Sequence, residues 1–192
     1  MHSDETRILL IDSSQARCEA LGNVLRESGY PDPVICNPSA LTLEFLFQTN
    51  PQIVLIDVDS PTRDTLEQLV LIRDHCPKPV VLLSQDESVQ QIHAAIQSGV
   101  SAYVTENISP SKARHVIEAA MATFSAFQAL KRELKETKSQ LEERKIIDRA
   151  KGIVMSSDGI SEDVAYHRMR RYAMDHKCSI ADVARRILEI YS

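Results

Sequence analysis

Three residues stand where short apolar runs end, and their types could do chemistry together. Asp12 follows Ile8-Leu9-Leu10-Ile11, Asp57 follows Ile53-Val54-Leu55-Ile56, and Ser84 follows Val80-Val81-Leu82-Leu83. Two carboxylates and a hydroxyl at one edge could hold a magnesium ion and a phosphoryl group, because hard cations select oxygen ligands. A second set lies in the C-terminal third. Arg149, Lys151, Arg168, Arg170, Arg171, Lys177, Arg185 and Arg186 are basic, and Gly152 stands among them inside a helical pattern. Such side chains neutralise phosphate and stack on splayed bases. A third set, Phe127, Leu130, Leu134, Thr137 and Leu141, repeats at 3-4-3-4 spacing with Lys, Arg and Glu between. It reads as a short heptad seam that pairs two copies in a coiled coil. The alternative is an amphipathic helix packed on its own domain.

The elements that must position these residues follow from periodicity. The three runs above, with Val34-Ile35-Cys36 and Ala102-Tyr103-Val104, are short and rich in branched side chains. Such runs suit strands buried on both faces of a parallel sheet. Amphipathic stretches of about ten residues separate them. Pro38-Ser39, Ser60-Pro61 and Ser109-Pro110 mark helix starts, and Gly29 and Gly99 mark helix stops. Five strands alternating with helices predict a doubly wound α/β domain. Its site should lie at the carboxyl ends of the strands, where Asp12, Asp57 and Ser84 fall. Past about Ser111 the strand signal stops, and residues 111–150 contain neither Gly nor Pro. Residues 145–192 read as three short helices: about Lys145 to Ser157, one opening at Ser161-Glu162-Asp163, and one from Ser179 to Tyr191. On these helices Lys151 should lie off the apolar stripe, exposed to solvent. Arg168 and Arg171 should share one side, with Arg170 on another. Tyr166 should sit near the stripe edge, and Tyr172 within the stripe. Gly152 costs up to ~1 kcal/mol against Ala in a helix. Close approach of another backbone or of a phosphate, or else helix–helix packing, would justify it.

Composition narrows the function classes. The chain has 192 residues, 43% apolar and 26% charged, enough for a real core in one large or two small domains. Residues 1–118 carry 8 Lys+Arg against 16 Asp+Glu, and residues 119–192 carry 14 against 11. An acidic front and a basic tail point to two modules with different partners. Cys18, Cys36, Cys76 and Cys178 form no C-x-x-C pair, which argues against a zinc site or a disulfide frame. No run reaches the ~20 apolar residues that span a bilayer, and the polar start Met1-His2-Ser3-Asp4-Glu5 is unlike a secretory signal. A cytoplasmic protein with no membrane partner is expected. Enzymatic turnover is not: there is no nucleophile–base pair, Gly-rich phosphate loop or metal-ligand cluster.

Residues 6–120 resemble the receiver domain of bacterial response regulators. The resemblance rests on Ile8-Leu9-Leu10-Ile11-Asp12, Ile56-Asp57-Val58-Asp59-Ser60-Pro61, the strand ending at Ser84, and Gly99-Val100-Ser101-Ala102-Tyr103. It implies a CheY-like fold over residues 1–120, with Asp57 as phosphoacceptor. It further implies Asp12, Asp57 and the Asp59 backbone carbonyl as Mg ligands, and Ser84 and Tyr103 as the switch pair. Two positions depart from the pattern. Ser13 stands where receivers carry a second acid, and Glu106 where they carry a lysine. One unit-charge contact at ~4 Å is worth roughly 4 kcal/mol at an effective dielectric of ~20. Reversing its sign should weaken phosphorylation severely, leaving a pseudo-receiver that docks another protein and requires no cofactor.

Residues 144–192 resemble the ANTAR domain, the RNA-binding antiterminator module of AmiR- and NasT-type regulators. The carrying text is Ala150-Lys151-Gly152-Ile153-Val154-Met155, then Ser161-Glu162-Asp163-Val164-Ala165, then Arg171-Tyr172-Ala173-Met174-Asp175. Residues 121–143 then form a coiled-coil linker helix ahead of a three-helix bundle. The stretch Leu55 to Glu67 is similar to the NasT branch. That likeness implies control of nitrate and nitrite assimilation through leader RNA hairpins, with a nitrate-sensing NasS-like protein as inhibitory partner. Two other readings stay open on sequence: a phosphorylation-driven regulator acting through Asp57, and a tail that binds DNA or protein.

Overall fold

The structure, a computed structural model, describes residues 6–105 and 107–191. The expectations on Glu106 and on residues 1–5 therefore lie outside the described residues. The chain divides into two compact units, Met1–Gln128 and Ala129–Ser192.

The first unit is a five-stranded parallel sheet in the order β2-β1-β3-β4-β5. Its strands are β1 (Ile8–Ile11), β2 (Val34–Cys36), β3 (Ile53–Val58), β4 (Val80–Ser84) and β5 (Ala102–Val104). Successive strand residues point to opposite faces, and both faces are covered. On one side Leu9, Ile11, Val54, Ile56, Val80 and Leu82 meet α2 (Leu43–Thr49), α3 (Arg63–His75) and α4 (Val89–Ser98). On the other, Ile8, Leu10, Ile53, Leu55, Val81 and Leu83 meet α1 (Gln15–Glu27) and the start of α5 (Pro110–Asp158). Two covered faces leave no position for a polar residue, hence the continuous apolar runs.

Helix boundaries refine the expected ones. Thr42 and Thr62, not Pro38 and Ser60, cap α2 and α3, each accepting a backbone N–H through its hydroxyl. Pro38–Ala40 is a separate 3-10 turn. Gly99 ends α4 at φ 111°, where a Cβ would lie 3.0 Å from Arg73 Cβ.

The expected helix start near Lys145 is absent. Helix α5 runs unbroken to Asp158, since nothing between 111 and 150 breaks a helix. Its first turns belong to the first unit and its last turns to the second. There it packs with α6 (Glu162–Asp175) and α7 (Ile180–Ile190) around Ala150, Met169, Ala173, Val183 and Ala184. Ser179 and Asp182 form a reciprocal capping box on α7. Ser161 takes the cap position of α6 without a side-chain hydrogen bond. No helix is long and apolar enough to cross a membrane, among the described residues.

Candidate functional site

Parallel pairing brings the strand ends to one edge. Asp12 lies just past β1. Asp57 lies within the end of β3, one residue earlier than the strand's last, and Ser84 is the last residue of β4. Asp57, Asp59 and Ser84 border a cleft of about 360 Å³ together with Arg17, Gln85 and Asn107, and Asp12 is tied to it through Arg17. The sequence reading did bring these groups together, but it missed Arg17. This residue stands in the first turn of α1, whose start Ser14 caps by accepting the Arg17 N–H.

Arg17 dominates the electrostatics of the cleft. Its Nε donates to Asp12 Oδ2 and one Nη donates to Asp12 Oδ1, both at 2.8 Å. The other Nη donates to Asp59 Oδ1 at 2.6 Å. The hydrogen bonds that it donates to Asp12 raise the already high pKa of the guanidinium, so the cation is permanent. The Asp12 side chain is only 1% exposed, against 84% for Asp59. Asp12 Oδ1 also accepts the Ser14 N–H at 2.7 Å. The Asp57 side chain, half-buried, makes no hydrogen bond among the described residues. Burial lifts its carboxyl above the usual range; Asp12 adds to this and Arg17 opposes it.

The switch pair is tied to the neighbouring loop. Ser84 Oγ, buried, donates to the Asp59 carbonyl at 3.0 Å and accepts the Asp86 N–H at 3.2 Å. The Asp59 carbonyl also accepts the Gln85 N–H at 3.2 Å. Tyr103 Oη donates to the Asp86 carbonyl at 2.8 Å. Ser60 Oγ donates to Asp86 Oδ2 and holds that carboxyl below its ordinary range.

A divalent ion does not fit this arrangement. Both Asp12 oxygens face the guanidinium, the Asp59 carbonyl is taken by two donors, and position 13 is an exposed serine. An ion at Asp12 would have to displace Arg17 first.

The basic residues of the second unit separate into two groups. Lys151 donates to Glu162 Oε1 and lies 2.7 Å from both that oxygen and Asp148 Oδ1, with its side chain 15% exposed. This corrects the expectation of a solvent-exposed lysine. Glu162 lies across the turn at Gly159, so its approach is invisible to the periodicity of α5. Arg168 pairs with Asp158, and Arg185 with Asp182 at 2.6 Å. Arg149, Arg170, Arg171, Lys177 and Arg186 are exposed and make no side-chain hydrogen bond or ion pair among the described residues. Arg170 borders the same groove on α6 as Arg168 and Arg171, with His167 and Met174; it does not face away as helix spacing implied. Lys177 sits in the α6–α7 turn at φ 50°. Gly152 is exposed, and a Cβ there would meet nothing within 4 Å. Helix–helix packing thus gives no reason for it. Tyr166 is exposed and edge-on to His167. Tyr172 leaves the expected apolar stripe and stacks on His176, ring centroids 3.9 Å apart.

The comparisons with known proteins match these two regions. The response regulator receiver domain covers residues 8–118, more than half of the chain, and the ANTAR domain covers residues 135–188. The chain belongs to the ANTAR-containing response regulators. As a response regulator with an RNA-binding output domain, it falls in a regulatory rather than an enzymatic family. The transcriptional regulatory protein PdtaR of Mycobacterium tuberculosis is 28% identical over 183 residues, spanning 95% of this chain and 89% of that protein. The nitrate regulatory protein of Klebsiella oxytoca is 36% identical over 63 residues, 33% of this chain and 16% of that protein. The receiver domain of a modulated diguanylate cyclase from Desulfovibrio desulfuricans superposes with a TM-score of 0.54 at 18% identity, covering 64% of this response regulator and 98% of the other chain. The Vibrio cholerae chemotaxis protein CheY4 gives 0.52 at 14% identity, covering 60% and 98%. These two likenesses establish the receiver fold alone.

Proposed function

We propose that this response regulator is a transcription antiterminator that binds leader RNA hairpins and controls nitrate and nitrite assimilation genes. The observation that carries it is the set of unpaired cations, Arg149, Arg170, Arg171, Lys177 and Arg186, inside the ANTAR region. Each can neutralise a phosphate without first breaking an ion pair. Lys151, Arg168 and Arg185 reach RNA only by giving up a carboxylate, so they contribute less. Gly152, open on one side of α5 and one turn beyond Arg149, lets a phosphate approach the helix backbone. The likeness to a nitrate regulatory protein supports the nitrate assignment.

On this reading the chain works as three parts. Residues 1–120 are a pseudo-receiver that docks a nitrate-sensing NasS-like protein, and residues 144–192 bind RNA. Residues 121–143 pair two copies through Phe127, Leu130, Leu134 and Leu141, whose apolar side chains are all exposed. The partner holds the dimer inactive; nitrate sensed by the partner releases it. Asp57, Ser84 and Tyr103 remain as the phosphoacceptor and switch positions of the ancestral receiver, with Asp12 and the Asp59 carbonyl at its metal site.

The test is binding of full-length protein to leader-type hairpin RNA at two salt concentrations. Arg171→Ala should weaken binding and reduce the salt slope by about one. Gly152→Ala should weaken binding while raising helix stability by up to ~1 kcal/mol. Equal binding to duplex DNA, or a Gly152→Ala protein that binds RNA as well as the parent, would oppose this reading.

A further inference from the structure

The cleft of the first unit has its charges already paired, and the pairing is not the one that its fold family uses. Receivers commonly hold Mg²⁺ when phosphorylated. Here a guanidinium reaches the same oxygens from within the chain. It grips the buried Asp12 in bidentate fashion and also reaches Asp59, 42 residues away in the chain. Bidentate Arg–carboxylate pairs are the strong, geometrically specific ones. The last candidate ligand, the Asp59 carbonyl, is held by Ser84 and Gln85. Both Asp12 oxygens, Asp59 Oδ1 and the Asp59 carbonyl are therefore committed to donors from the protein.

We infer that Arg17 is the resident cation of this cleft and excludes a divalent metal from it. The guanidinium supplies the positive charge that the acidic edge needs, and it does so independently of any ion in solution. The front unit is thereby set in one arrangement, with Ser84 and Tyr103 tied to the 59–86 loops whether or not metal is available. Asp57 is left beside a fixed cation that already has two partners, rather than beside an ion with open coordination positions. The inference stands on the front unit alone and is separate from the RNA reading.

The experiment is a titration of the full-length protein with Mn²⁺ alone, followed by the electron paramagnetic resonance signal of the free ion. The parent protein should leave Mn²⁺ free into the millimolar range. Arg17→Ala should gain saturable binding, at least about tenfold tighter than the parent, or ~1.4 kcal/mol. Adding Asp12→Asn to that variant should abolish the gain. Arg17→Gln, which keeps a donor for Asp12, should gain binding as well and decides the matter if Arg17→Ala proves unfolded by circular dichroism. Saturable Mn²⁺ binding by the parent protein would overturn the inference. So would a folded Arg17 variant that binds no more tightly than the parent.

Discussion

Removing the Arg17 side chain should destabilise the front unit, and the size of the loss follows from who is left behind. In Arg17→Ala the Asp12 carboxylate, 1% exposed, keeps only the Ser14 N–H as a donor. Stranding one partner of a buried pair costs roughly 3–5 kcal/mol. Arg17 itself is 34% exposed, so water reaches the space it vacates, and the expected cost falls to about 2–3 kcal/mol. The contact with Asp59 adds little, because that side chain is 84% exposed and such pairs are worth ~0–1 kcal/mol. A unit of this size loses about 3–5 °C of melting temperature per kcal/mol, so the drop should be about 6–15 °C. The decisive assay is a double-mutant cycle with Asp12→Asn, read by urea denaturation and circular dichroism, since the chain has no tryptophan. In the Asn background Arg17→Ala should cost less than ~1 kcal/mol, giving a coupling of about 2 kcal/mol. A coupling below ~0.5 kcal/mol would refute the reasoning, and so would an Arg17→Ala protein that melts with the parent.

Three further outcomes follow from the same geometry. Asp57→Asn should raise the melting temperature at neutral pH. Because folding lifts the Asp57 pKa, its charged form disfavours the fold above that raised value and has no effect below the ordinary aspartate value. The gain should therefore vanish in melts run below the ordinary value. Met169→Ala should cost about 2–5 kcal/mol, since Met169 is buried at the centre of the α5–α6–α7 cluster. Tyr172→Ala, on an exposed ring, should cost much less, and chemical denaturation of both variants checks the contrast. Gly99→Ala should lose about 1–2 kcal/mol by the same measurement, because φ 111° and the contact with Arg73 both oppose a Cβ.

The residues by themselves determined the strands, the placing of Asp12, Asp57 and Ser84 at one sheet edge, and the helical character of everything past Ser111. Each of these depends on short-range periodicity: alternating faces on a covered sheet, or the absence of Gly and Pro along a helix. The ANTAR and receiver texts were legible for the same reason, as local strings in order. Only the tertiary structure decided which charges meet. Arg17 looks like any first-turn arginine until the parallel pairing of β1 and β3 carries Asp59 within 2.6 Å of it. Lys151 looks exposed until the turn at Gly159 brings Glu162 back to it. These ion pairs act over a few ångströms between residues far apart or across a turn. Their partners are therefore chosen by how the elements pack, while periodicity decides only which elements exist.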